Sequence, residues 1–223
     1  MLETRLKNPD KYVERRPYRL SPVEREKVRT IINELLKHTI IRESKSPYSS
    51  PIILVKKKNG DDRICVDLCL YLAGDHYPLP LISDQIDQLV NGLYFTTFDM
   101  AAGFHQIPIS ESSIEKTAFV TPGGLYEYLT MPFGLSNACA VYQRCINRAL
   151  FSLLGSAAQV YVDDVLNKSA DFTEGLINIE SILIALHKAG FSINADKCSF
   201  FQRSIESQTL DNVTQIFQRK LKL

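Results

Sequence analysis

The sequence predicts an α+β fold in which short antiparallel strands form a sheet backed by amphipathic helices. Three observations predict it. Pairs of β-rich runs are joined by tight-turn residues, Asn59-Gly60 in one case and Pro122-Gly123-Gly124 in another. Apolar residues recur at helical spacing in several longer stretches. Acids stand at the ends of two β-rich runs far apart along the chain, Asp99 and the pair Asp163-Asp164, and they meet only if the two strands are neighbours in one sheet.

Residues 1–20 are polar and basic and read as an extended lead-in. A helix starts at Ser21-Pro22-Val23-Glu24, where Ser21 caps, Pro22 fits the first helical position and Glu24 completes a capping box. Val28, Ile31, Ile32, Leu35 and Leu36 form its apolar face. Ile52 to Val55 is a strand, Lys56 to Asp62 a basic hairpin tip, and Arg63 to Asp67 the partner strand. The prolines extend His76 to Pro80. Ile82, Ile86, Leu89 and Val90 mark a short helix that Gly92 ends. Tyr94 to Asp99 is a strand, Met100 to Gln106 a tight turn or helical bend, and Ile107 to Ile109 resumes extension. Phe104 is either the wall of a ligand site or core, and His105 is structural.

Runs 116–121 and 125–130 form the second hairpin, and Met131 to Leu135 a loop. Ser136 or Asn137 caps a helix whose face is Tyr142, Ile146, Ala149, Leu150 and Leu153. After the acidic hairpin, Phe172 to Ala189 is a helix with Leu176, Ile179, Leu183 and Leu186 inside and Gly190 as its stop. Phe191 to Ile193 is a strand, and from about Gln202 the pattern fades.

Composition narrows the class. Apolar residues make up 45% of the 223, ordinary for a globular chain with a real core. No run of about 18 apolar residues occurs, so no membrane span is expected, and the N-terminus lacks a signal-peptide core. The five cysteines are odd in number and lack a Cys-x-x-Cys pair, which argues for reduced thiols in an intracellular setting rather than disulfides or zinc. Residues 1–63 hold 16 basic and 9 acidic side chains, while the remainder is acidic. A basic front beside an acidic rear fits a phosphate-rich partner, although a solvated basic surface gives the same count.

The acids carry the chemistry. Asp163 and Asp164 sit inside the run Gln159 to Leu166, which otherwise wants to be a strand. On a regular strand they would face opposite ways, so a tight turn is needed for both to reach one rim. Adjacent anions favour a shared cation, and oxygen ligands suit magnesium or manganese. Two such ions about 3.5–4 Å apart activate a hydroxyl and stabilise a leaving pyrophosphate, and the basic hairpin then holds a triphosphate tail. A surface turn is the plain alternative.

The chain resembles the reverse transcriptase of gypsy-type long-terminal-repeat retrotransposons, encoded within their Pol polyprotein. The resemblance is carried, in the family's order, by Arg16 to Pro22, Ser46 to Pro51 with Val55 to Gly60, Tyr77 to Pro80, Phe98 to Ile107, Thr130 to Ala138, Tyr161 to Leu166 and Asn194 to Phe200. It implies the fingers and palm of a right-hand polymerase, with a ferredoxin-like palm and the thumb absent. The expected limits are a lead-in over 1–14, fingers at about 15–81 and 108–137, palm at about 82–107 and 138–206, and a divergent tail over 207–223. It further implies that Asp99, Asp163 and Asp164, with the Met100 carbonyl, hold two magnesium ions. Lys57 and Arg63 match positions that hold the triphosphate, Phe104 the wall that excludes a 2′-hydroxyl, and Phe133 and Gly134 the loop beside the incoming nucleotide. The implied partners are an RNA or DNA template with its primer and deoxynucleoside triphosphates, in a cytoplasmic particle, with thumb and RNase H parts in the full polyprotein.

The departures from the family are specific. Cys69 stands at the usual arginine of the second finger strand, Cys139 at a usual proline, and Ser207 to Leu210 replace a Phe-Leu-Gly-His segment. Asn167 puts an amide on a normally apolar strand, at a cost of about 1–3 kcal/mol if buried unpaired. These suggest a truncated or decayed copy. The rival to an active polymerase is therefore a nucleic-acid-binding remnant of the same fold; a two-metal nuclease lacks the additional acids and histidine.

Overall fold

Ser21 does what its sequence context predicts. Its hydroxyl accepts from the Glu24 N–H at 3.3 Å, and its own N–H donates to the Glu24 carboxylate at 2.8 Å. The helix so capped is α1 (Pro22–Lys37), which buries Val28 and Ile32. The structure is a computed structural model and describes residues 1–4, 14–56, 60–68, 77–90, 92–135 and 137–204. Beyond α1 the chain runs β1 (Ile41–Glu43), β2 (Ser50–Lys56), β3 (Asp62–Val66), α2 (Ile82–Leu89), β4 (Tyr94–Asp99), α3 (Glu111–Ile114), β5 (Phe119–Thr121), β6 (Gly124–Tyr128), α4 (Ala138–Ala149), β7 (Gln159–Tyr161), β8 (Asp164–Ser169), α5 (Phe172–Lys188) and β9 (Ser199–Gln202). A 3₁₀ turn occupies Gly103–Gln106.

These elements form two units, each made of separated segments: Met1–Tyr77 with Ala102–Tyr142, and Pro78–Ala101 with Gln143–Leu223. The first holds a five-stranded sheet in the order β1-β6-β5-β2-β3. Its neighbours are antiparallel except β2 and β5, which run parallel. The β2–β3 hairpin registers Lys56 on Asp62; residues 57–59 of its expected basic tip, and with them Lys57, lie outside the described residues. Ile52, Ile64, Val66, Phe119 and Tyr128 fill the core. The described start of the expected extended lead-in is tied down. Leu2 is 1% exposed, its N–H donates to the Pro108 carbonyl and its carbonyl accepts from the Ser110 N–H, both at 2.8 Å. The Thr4 N–H donates to Ser113 Oγ at 2.9 Å.

The second unit holds a four-stranded sheet in the order β7-β8-β4-β9, antiparallel throughout. In chain order β4, α4, β7, β8, α5 and β9 make a βαββαβ unit whose first and third strands lie in the middle. That is the ferredoxin-like antiparallel layer expected. Phe98, Val165 and Leu166 are buried in it, and α5 packs on β8 and β4 through Ile179, Ile182 and Leu186.

Several expectations for this unit need correction. Leu176 is exposed and Leu183 only half-buried, while Gly175 and Ile182 face inward. Val90 is exposed rather than core. Phe191 to Ile193 is no strand; Ile193 alone bridges Met100. The unanticipated β9 pairs with β4 instead. Asn167 is buried but not orphaned, since Nδ2 donates to the Ala157 carbonyl at 2.6 Å. Among the described residues no helix is long and apolar enough to cross a membrane.

Candidate active site

Asp99 closes β4 and Asp164 opens β8, and the register of the two strands places them directly opposite each other. Opposed residues of an antiparallel pair leave the same face of the sheet, with Cβ atoms about 4.5–5.5 Å apart, and two like charges there repel. The Asp99 carboxyl is held above its ordinary range. Burial is the main cause; the Lys197 ammonium opposes it and the Asp164 charge adds to it. The backbone beyond Asp99 is pinned by two bonds: Asn194 N–H to the Asp99 carbonyl at 2.8 Å, and Ala101 N–H to the Ser192 carbonyl at 3.0 Å. These flank the Met100–Ile193 bridge, and neither uses the Met100 carbonyl.

Asp163 lies in the two-residue turn between β7 and β8, the tight turn that the adjacent acids require. Val162, the other turn residue, has φ 50°, a left-handed conformation that β-branched side chains rarely hold. Asp163 is exposed and Asp164 half-buried. Among the described residues no group of three or more His, Cys, Asp or Glu side chains is gathered to hold a metal. What the fold provides is an opposed pair, Asp99 and Asp164, with Asp163 next to the second member. The donor set is all carboxylate oxygen, the chemistry that suits magnesium or manganese. A cation there would offset both the burial that chiefly raises the Asp99 carboxyl and the smaller push from the Asp164 charge, so the pair fits such an ion.

The other sequence-predicted residues belong to the first unit. The Arg63 guanidinium lies over the Phe133 ring at 4.8 Å, and Arg63 Nε is buried without a hydrogen-bond partner. Phe104, 9% exposed, packs on Phe133 and Tyr142 with ring centroids 5.2 and 5.4 Å away, so most of its surface is core. Gly134 has a packing reason of its own. Its φ is 97°, and an added Cβ would lie 2.2 Å from the Val66 carbonyl oxygen, so the loop touches β3 backbone to backbone. His105 stacks parallel to Tyr128 and edge-on to Phe133, as a structural residue does. Burial lowers its pKa, against a hydrogen bond with the Met131 backbone.

Two residues escaped the sequence reading. Lys197 is the positive charge that acts on Asp99, and Gln143 hydrogen-bonds the backbone of the β7–β8 turn. A lysine in a polar loop and a glutamine on an amphipathic helix carry no local signature of either role.

Comparison with known proteins decides the family. Residues 16–210 match the family described as reverse transcriptase (RNA-dependent DNA polymerase). The chain belongs to it. Within the reverse transcriptase family its relatives are those of long-terminal-repeat retrotransposons. It is 42% identical over 204 residues to the retrovirus-related Pol polyprotein from transposon opus of Drosophila melanogaster, covering 87% of this chain and 20% of that protein. It is 37% identical to the corresponding polyprotein from transposon gypsy of the same organism, over 78% of this chain and 18% of that protein. The chain thus spans about a fifth of the length of these relatives. Among solved structures, a foamy viral protease-reverse transcriptase in complex with double-stranded DNA matches with a TM-score of 0.81 at 22% identity, over 92% of this chain and 38% of that one. The same viral protein in complex with an RNA/DNA hybrid matches with a TM-score of 0.78 at 23% identity, over 87% of this chain and 26% of that one. These likenesses establish the fold. Reverse transcriptases generally use divalent metal ions.

Proposed function

We propose that this chain is the polymerising part of an RNA-directed DNA polymerase, adding deoxynucleotides to a primer 3′-hydroxyl. The observation that carries the reading is the register of Asp99 on Asp164 at two strand ends, one residue from Asp163. On this reading the unit that contains the acids is the palm, and the unit with the β2–β3 hairpin the fingers. Asp99, Asp163 and Asp164, with the Met100 carbonyl, are the ligands of two magnesium ions. Bound there, such ions supply an acidified primer hydroxyl and neutralise charge on the leaving pyrophosphate. Lys57 and Arg63 hold the triphosphate, Arg63 through a guanidinium fork that lies over the Phe133 ring. The Phe104 ring, braced by Phe133 and Tyr142, presents the wall that rejects a 2′-hydroxyl. Phe133 and Gly134 shape the loop beside the incoming nucleotide. Template, primer and deoxynucleoside triphosphates are the partners, with thumb and RNase H parts supplied by the longer polyprotein, inside the cell.

The test is primer extension on an RNA template with magnesium, beside Asp163→Asn. Incorporation that the substitution abolishes supports the polymerase. Binding of the primed template without incorporation by the unaltered chain would select the nucleic-acid-binding remnant instead.

A further inference from the structure

Gln143 is completely buried, and the roles above make no use of it. Its amide is nevertheless engaged on both sides. Oε1 accepts from the Val162 N–H at 2.6 Å, while Nε2 donates to the Val160 carbonyl at 3.2 Å and to Asn147 Oδ1 at 2.9 Å. A carbonyl and an N–H two residues apart on one strand edge are what a single residue of a parallel neighbouring strand would engage with its own N–H and C=O. β7 is the outermost strand of its sheet. The Gln143 amide therefore takes the place of a further strand at the point where β7 runs into the turn. Its orientation is unambiguous, because only the oxygen can face an N–H and only the nitrogen a carbonyl.

That point is also where the backbone is strained. Hairpin turns place Gly or Asn at left-handed positions, and here the residue is Val162 at φ 50°. A branched side chain keeps such a conformation only where its surroundings over-determine it. The bond from Val162 N–H to a buried helix residue is such a constraint. Relaxation of Val162 would swing Asp163, its chain neighbour, and pull Asp164 off its register with Asp99.

We propose that Gln143 is a positioning residue: its amide holds Val162 in the left-handed conformation and so sets the placement of Asp163 and Asp164 against Asp99. The catalytic consequence rests on the polymerase reading; the bracing itself does not.

The test uses the full 223-residue chain and three variants, Gln143→Met, Val162→Gly and the double substitution. Methionine keeps the length of the side chain and removes donor and acceptor. Glycine adopts positive φ without strain, so it should make the brace unnecessary. Folding is followed by thermal unfolding, turnover by primer extension, and the turn by exchange of the Val162 amide. The proposal expects folded Gln143→Met to lose kcat on the order of tenfold to a hundredfold, with KM for the nucleotide little changed. It expects the Val162 amide to exchange faster while the Val165 and Leu166 amides stay protected. It expects Val162→Gly to restore most of the lost kcat in the double variant. Unchanged kcat, unchanged exchange at Val162, or a loss that glycine does not rescue would each overturn it. Where Gln143→Met alone does not fold, the comparison is Val162→Gly with and without Gln143→Met: equal kcat supports the proposal and a gap of about tenfold or more refutes it. An unaltered chain that incorporates nothing refutes the polymerase reading instead. The brace is then judged on Val162 exchange alone, where protection lost in Gln143→Met supports it and protection kept overturns it.

Discussion

Asp99 stands at a place where the fold disfavours its charge. Its pKa is raised, first by burial, so folding shifts its balance towards the protonated form. The associated stability is fully present below the unfolded value near 3.8 and is lost as pH rises through the folded value. At neutral pH the carboxylate is therefore a burden, and Asp99→Asn should raise the melting temperature at pH 7 while reducing incorporation at least about a hundredfold. The stability gain should vanish in acid; a variant less stable than the parent at pH 7 would contradict this account. His105 has the opposite sign. Burial lowers its pKa below 6.5, so the stability tied to its neutral ring is present above that value and is lost as pH falls through the folded one. His105→Phe should flatten the acid limb of a stability–pH curve measured between pH 7 and 5. At this scale the acids were legible, because carboxylates inside a β-branched run are unusual there. Asn167 was legible as an oddity, but its partner, the Ala157 carbonyl, was not, since nothing local to 167 points to residue 157.

At the scale of elements, sequence served best where a local rule sufficed. The α1 capping box, the Tyr94 to Asp99 strand and both hairpins follow from residue order alone. The three-residue strand β1 and the four-residue β9 are too short to show alternation and exist because a partner strand lies alongside. On α5 the period was right and the phase partly wrong. Leu176 and Ile182 both fit a helical spacing with Ile179 and Leu186, and packing against the sheet selects Ile182. The exposed Phe172, Leu176, Ile177 and Ile184 leave that helix apolar on several sides, which blurs the phase. The loop after β6 gives the sharpest prediction. Gly134→Ala must displace the Val66 carbonyl and strain a φ of 97°, so it should destabilise the chain by about 2–3 kcal/mol. Thermal or denaturant unfolding measures this. A cost below about half a kcal/mol would mean that the loop yields easily, and would return the glycine to a purely nucleotide-facing role.

At the scale of the molecule, the adjacency of β4 and β8 was inferred from the need for Asp99 to meet the Asp163-Asp164 turn, and the register delivers Asp164. The order of the five-stranded sheet, with its single parallel pair, had no such chemical requirement to reveal it. Charge is the molecular property that can be tested most directly. With 16 basic against 9 acidic residues over 1–63, binding of an RNA/DNA hybrid should weaken with salt, by about 0.9 in log K per log salt for each phosphate neutralised. Fluorescence anisotropy from low to high salt should give a slope of several units, and a flat dependence would count against nucleic-acid binding. The interleaved units have one more consequence, for the order of events on the ribosome. Met1–Tyr77 cannot complete its unit until Ala102–Tyr142 has been made, and the segment between them belongs to the other unit. Leu2 waits for Pro108 and Ser110. At about 5–20 residues per second the nascent polypeptide carries this unfinished first third, Met1–Tyr77, for several seconds. Neither unit can mature before synthesis of the other has begun, so folding of the two is coupled in time as the chain is made.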